Sequence, residues 1–175
     1  MKRGKIVSLL VFMVLLMTFS CASSAKSKEP LPEIPRIGIK LGFGIEEPTG
    51  TVTIELRNAD GSEIIWEKTA EAASFNRNAS WYEYFIDTVP MLESGKKYRV
   101  YIKRSDEHSP QNAVYWKAET ENPYAPGESE VKNADFCVKF FKYTNQTEEP
   151  DVITIDGNYG YFLYNEYRWQ EFAVN

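Results

Sequence analysis

The chain has 175 residues, 43% of them hydrophobic, and sets 20 basic against 25 acidic side chains for a net charge of −5. That length suits one domain with a real core rather than two large ones. The acidic balance argues against a nucleic-acid partner and against adsorption to anionic lipid headgroups. One histidine and two cysteines make a four-ligand zinc site improbable.

Lys2, Arg3 and Lys5 precede an apolar run over 6–19, and small residues follow around Cys21. A charged start, an apolar stretch shorter than a bilayer span and a small-residue cut site describe an export signal over 1–21. The stretch Met17-Thr18-Phe19-Ser20-Cys21 resembles the lipobox of bacterial lipoproteins, with Thr18 where leucine is usual. The resemblance implies lipid on the Cys21 sulfur and an exported protein anchored in the bacterial cell envelope, periplasmic or at the cell surface. Ordinary cleavage near Ala22 or Ala25, without lipid, is the alternative. Removal of the signal takes three basic residues and no acidic one, which leaves 17 against 25 and a net charge of −8. A lipidated Cys21 leaves Cys137 as the sole thiol, so no internal disulfide forms and the fold relies on its core. Cys137 itself reads as a small buried or half-buried apolar residue.

The segment 22–35 is rich in Ser, Lys and Pro and reads as a semi-extended tether. From Arg36 the pattern changes to period two. Ile37, Ile39, Leu41, Phe43 and Ile45 alternate with Arg36, Gly38, Lys40, Gly42, Gly44 and Glu46, a strand with one buried face. The glycines on its other face suggest a closely approached backbone. Val52, Ile54 and Leu56 mark a second strand, closed by the Asn58-Ala59-Asp60-Gly61 turn. Short strands are expected over 64–66 and 72–75, and longer ones over 81–89, 97–104, 114–118 and 136–143. Two more follow, over 152–155 and 159–164, while 164–174 stays open as the only candidate helix. Many short strands punctuated by Gly, Pro and Asn predict an all-β antiparallel sandwich of about 8–10 strands. The domain is expected to span 36–144, with 145–175 an addition packing on it.

The order of Gly50-Thr51-Val52-Thr53-Ile54-Glu55-Leu56-Arg57, Leu92-Glu93-Ser94-Gly95-Lys96-Lys97-Tyr98-Arg99-Val100, Tyr115-Trp116, Asn122-Pro123-Tyr124 with Gly127, and Asp135-Phe136-Cys137-Val138-Lys139 carries a resemblance. It resembles the jelly-roll modules of secreted microbial proteins, similar to galactose-binding-like and other carbohydrate-binding sandwiches. The resemblance covers about 37–143. It implies a non-catalytic binding or adhesion module and transfers no functional residue to this chain.

Catalytic residues are expected to be none. His108 lies in a polar loop before Pro110, and no Gly-x-Ser-x-Gly elbow is present. A glycan-active hydrolase would need two carboxylates facing each other across a cleft, which a sequence does not display. Asp60 and Asp156 sit among the residue types that bind calcium, and those types equally make hairpin turns. Calcium is therefore a possible cofactor and no other is expected. Tyr101, Tyr115, Phe141 and Tyr143 fall opposite the apolar faces of their strands, so outward aromatics offer a platform for sugar rings or a protein partner. The competing expectation is that aromatics of 159–169 fold over that platform and bury it. The leading expectation is a lipid-anchored binding module for carbohydrate or for an envelope or host protein. A structural or interaction subunit of an envelope complex, without small ligand, is the alternative.

Overall fold

The computed structural model describes residues 36–86, 92–93, 95–106, 111–121, 124, 126–141 and 153–174. The expected signal, tether and lipidated Cys21 lie outside these residues, as do His108 and Tyr143.

Eleven strands are present among the described residues: β1 (Arg36–Phe43), β2 (Thr51–Asn58), β3 (Ile64–Glu71), β4 (Ser80–Phe85), β5 (Lys97–Arg104), β6 (Val114–Glu119), β7 (Asp135–Phe136), β8 (Val138–Phe141), β9 (Ile153–Thr154), β10 (Tyr159–Phe162) and β11 (Arg168–Ala173). Every pairing is antiparallel. One sheet runs β10-β6-β1-β8-β9, with β4 on the far edge of β1 and β7 on β6; the other runs β11-β5-β2-β3. The two sheets pack face to face as an all-β sandwich.

Period-two alternation explains the core. Ile37, Ile39 and Leu41 of β1 and Val114, Trp116 and Ala118 of β6 face Val52, Ile54 and Leu56 of β2 and Val100 and Ile102 of β5, and all are buried. Phe140 of β8 stacks on Phe172 of β11 at 5.5 Å between ring centroids, and Trp66 of β3 meets Tyr84 of β4 at 6.2 Å, so aromatic pairs join the sheets.

Three elements differ in kind from the sequence expectation, and Ile45, expected on the buried face of the first strand, lies past the end of β1 and is 71% exposed. Residues Ala72–Ser74 form a single 3-10 turn instead of a strand, with Ala72 and Phe75 buried by it. The strand expected over 136–143 is broken at Cys137, so that Asp135–Phe136 pairs with β6 and Val138–Phe141 with β1. The open stretch 164–174 contains a strand, β11, paired along its length with β5. The described part of the stretch expected as an addition thus supplies β9 and β10 to one sheet and β11 to the other.

The loop before β7 is tied to β11 by polar groups. Gln170 is fully buried, accepts from the Phe136 amide at 2.7 Å and donates to Asp135 at 3.0 Å. Glu171 and Glu130 donate their backbone N–H groups to the carbonyls of Glu128 and Trp169, so 128–130 covers the outer edge of β11.

Candidate functional site

The alternation that buries Ile37, Ile39 and Leu41 sends Arg36, Gly38, Lys40 and Gly42 to the outer face of the larger sheet. Register then decides what surrounds them. Phe85, Glu83 and Trp81 of β4 stand opposite Arg36, Gly38 and Lys40; Phe141 and Lys139 of β8 stand opposite Arg36 and Gly38. Tyr115 of β6 stands opposite Gly42, and Phe162 of β10 opposite Tyr115. Phe141, Phe85, Trp81, Tyr115 and Phe162 therefore form a staggered row along β1, with Phe85 and Trp81 on its β4 side, Phe141 and Tyr115 on its other side, and Phe162 one strand beyond Tyr115. At about 3.3 Å per residue, the six steps from Arg36 to Gly42 span about 20 Å.

The glycines are the reason the rings lie low. The Trp81 ring comes within 3.6 Å of where a Cβ on Gly38 would stand, and the Tyr115 ring within 2.8 Å of one on Gly42. Gly160 leaves room on the other side of Tyr115, whose ring would touch its Cβ at 3.3 Å. The Tyr115 hydroxyl donates to the Arg77 carbonyl at 2.9 Å, and burial raises its pKa above the ordinary tyrosine value. Phe85 remains 57% exposed and Phe162 39%, so the ends of the row face solvent.

Cations lie over these rings. The Arg36 guanidinium lies 4.9 Å from the Phe141 ring centre and 5.7 Å from that of Phe85, and is paired with Glu83 at 2.9 Å. The Lys139 ammonium stands 4.0 Å from the Trp81 ring centre, Lys40 5.9 Å from it, and Lys117 5.1 Å from that of Tyr115. Lys40 is also held by oxygens: it donates to Asp156 Oδ1 at 2.6 Å, the Gly157 carbonyl at 3.0 Å and Asn158 Oδ1 at 3.3 Å. Lys117 donates to the Asn158 carbonyl at 2.6 Å.

Of the four aromatics expected from the sequence, Tyr115 and Phe141 fall on this face, toward opposite ends of β1, and Tyr143 lies outside the described residues. Tyr101 is on the other sheet and is half-buried by its own neighbours. Tyr167 meets it edge-on at 5.8 Å, Trp169 lies 6.5 Å away, and the Arg57 guanidinium covers its ring at 4.5 Å. The expected covering by the C-terminal aromatics therefore occurs over Tyr101, through Tyr167 and Trp169. On the larger sheet, Phe162 joins the row beside Tyr115 instead of covering it. Trp81 and Phe85 were missed by the sequence reading. Their signal was present in the alternation of Trp81, Glu83 and Phe85 with Tyr82, Tyr84 and Ile86.

The two carboxylates considered for calcium are engaged. Asp60 accepts from the Ser62 amide at 2.8 Å in a hairpin turn where Gly61 has a φ of +76°, and this bonding lowers the Asp60 pKa. At Asp156 the Lys40 ammonium occupies the position among three oxygens that a cation would take. Among the described residues no group of three or more His, Cys, Asp or Glu side chains is placed to hold a metal ion. Cys137 is fully buried, and burial pushes its thiol up to about 12, so the nucleophilic thiolate is suppressed. An open depression of about 500 Å³ is lined by Tyr124 and residues 127–135. Asp135 lines it, with its carboxylate accepting from the Tyr124 amide at 2.6 Å and from Gln170.

No protein-family model, curated protein or solved structure matches this chain.

Proposed function

We propose that the chain is an exported, lipid-anchored binding module without catalytic activity, which takes carbohydrate on the outer face of its larger sheet. The observation that carries the reading is the row Phe141, Phe85, Trp81, Tyr115 and Phe162, laid low over Gly38, Gly42 and Gly160. A sugar ring presents C–H faces that pack on aromatic rings, and a row of rings about 20 Å long suits several sugar units of one chain. A core-filling role does not account for aromatics that point away from the core, and bare glycines beneath them hold the face flat.

The anchor rests on the basic start, the apolar run and Cys21. Several acyl chains on one residue would hold the domain at a membrane by additive burial of methylenes. Incorporation of labelled palmitate that is lost in Cys21→Ser supports that part; labelling that persists in the variant refutes it.

Binding is tested by a glycan array probed with the full chain in detergent. Reproducible binding that is lost in Trp81→Ala, with an unchanged circular dichroism spectrum, supports the reading. The same screen with Tyr101→Ala separates the two sheets, and that variant should bind as the parent does. Absence of any bound glycan for folded protein refutes the carbohydrate assignment.

A further inference from the structure

The charges on the outer face of the larger sheet differ in sign from those of the chain as a whole. The chain carries −5, yet around the aromatic row stand Arg36, Lys40, Lys117 and Lys139 against Glu83, Asp156 and, past Lys117 on β6, Glu119, whose carboxylate accepts from the Thr120 and Glu121 amides. Glu83 is taken by Arg36 and Asp156 by Lys40. Among the described residues neither Lys117 nor Lys139 pairs with a carboxylate: Lys117 meets a backbone carbonyl and the Tyr115 ring, and Lys139 meets the Trp81 ring. Two ammonium groups thus sit over two of the rings proposed to stack on sugar, in a chain whose net charge is negative.

We infer that the ligand of this face is an acidic glycan, whose rings pack along Trp81 and Tyr115 while its carboxylate or sulfate groups pair with Lys139 and Lys117. The inference rests on the binding reading above and adds the chemical class of its ligand. A neutral glycan would leave both ammonium groups without anionic partners. An acidic one supplies the partners and leaves the rings their apolar contact. A charged, half-exposed lysine also moves easily between its ring and a ligand oxygen, because its stem is flexible and its charge fixed. The negative remainder of the surface would steer such a ligand toward this face and away from the rest.

The test uses the full chain in detergent and four probes: polygalacturonate for carboxylated sugar, dextran sulfate for sulfated sugar, plain dextran for neutral sugar, and poly-L-glutamate for an acidic chain without sugar rings. Calorimetric titration at low and at moderate salt is the readout. One or both acidic glycans should bind at least tenfold more tightly than dextran and poly-L-glutamate, and the affinity should fall as salt rises. Lys139→Ala and Lys117→Ala should each weaken binding about two- to fivefold, the size of a solvent-exposed ion pair. Trp81→Ala should abolish binding; Phe85→Ala, at a mostly exposed position, serves in its place if the tryptophan variant fails to fold.

Equal binding of dextran and the acidic glycans, still lost in Trp81→Ala, would overturn the acidic assignment and leave the binding module standing. Equal binding of poly-L-glutamate would show that charge alone is read and overturn it too. No binding of any glycan by folded protein would overturn both readings. Acidic-glycan binding unchanged in all four variants would place the site elsewhere and overturn the inference.

Discussion

Tyr167 donates its phenolic hydrogen to the Glu55 carboxylate across 112 positions of sequence, on the outer face of the smaller sheet. Glu55 is 2% exposed although its neighbours on that face meet solvent, and its other oxygen accepts from Arg57 Nε at 2.6 Å. Arg57 in turn covers the rings of Tyr101 and Tyr167 at 4.5 and 4.9 Å. Removing the hydroxyl leaves one oxygen of a buried carboxylate without its donor. Tyr167→Phe should therefore lower stability by about 1–3 kcal/mol, read by urea denaturation. A change below a few tenths of a kcal/mol would mean that water replaces the phenol and that the cluster is not closed.

Arg104 is fully buried at one end of the sandwich, where it donates to the carbonyls of Asn112 at 3.0 Å and Thr49 at 2.9 Å and meets Asp106 at 3.1 Å. The two carbonyls belong to different loops, so one guanidinium ties them together. Arg104→Ala should cost roughly 3–5 kcal/mol. Asp106 is partly exposed, and Asp106→Ala should cost at most about 1 kcal/mol. The opposite ranking would show that the ion pair, and not the carbonyl contacts, holds this end.

Gly157 is wedged against β6. A Cβ there would fall well inside contact distance of the Ala118 carbonyl, which is backbone and has no rotamer to yield. Its amide donates to the Cys137 sulfur at 3.0 Å. Gly157→Ala should destabilise by about 1–3 kcal/mol through overpacking, whereas Gly95→Ala, with open space around its α-carbon but a φ of +79°, tests strain alone. Thermal melts of the two variants separate crowding from backbone strain, and an unchanged melt for Gly157→Ala would refute the close approach.

Alkaline pH should weaken the fold before it breaks it. Burial pushes the Cys137 thiol from 9.0 to about 12 and the Tyr84 phenol from 10.0 to about 12; Tyr167 rises to about 12 by burial and by its bond to Glu55. Each raised pKa means that the native state keeps a proton which the unfolded chain releases. Their stabilisation is thus complete below about pH 9 and is lost as pH rises toward 12. Urea midpoints measured across that window should fall steadily with pH. In the native protein at pH 8 the thiol should resist a thiol reagent and become reactive on unfolding. Rapid native labelling at Cys137 would refute its burial.

The row of rings depends on glycine as much as on the aromatics. A Cβ on Gly42 would meet the Tyr115 hydroxyl at 2.7 Å and lift the ring from the sheet. Gly42→Ala should expose Tyr115, seen as a faster phenol reaction with a tyrosine-modifying reagent, and weaken any ligand held by that ring.

Much of the fold was legible locally. The alternating apolar residues of β1, β2, β5 and β6 fall on the buried face, because a strand repeats every two residues and one face must leave water. Where alternation was interrupted, the sequence alone was silent. β11 carries Gln170 and Arg168 on its inward side, and only the Glu128 carbonyl, the Asp135 carboxylate and the Phe136 amide supplied by tertiary contact make a buried glutamine there tolerable. The break at Cys137 likewise lies between two inward residues, Phe136 and Val138, and arises because β7 and β8 pair with different strands.

By itself, then, the sequence determined the strand faces, the acidic charge and the residue types at each turn, since these depend on neighbours in the chain. Only the tertiary structure decided which outward aromatics share a surface. Tyr101 and Tyr115 look equivalent as outward residues of neighbouring strands in sequence, yet strand pairing is non-local and puts them on opposite sheets. The same pairing gathers Trp81, Tyr115 and Phe141 around the glycines of β1, and that register is what turns scattered aromatics into one face.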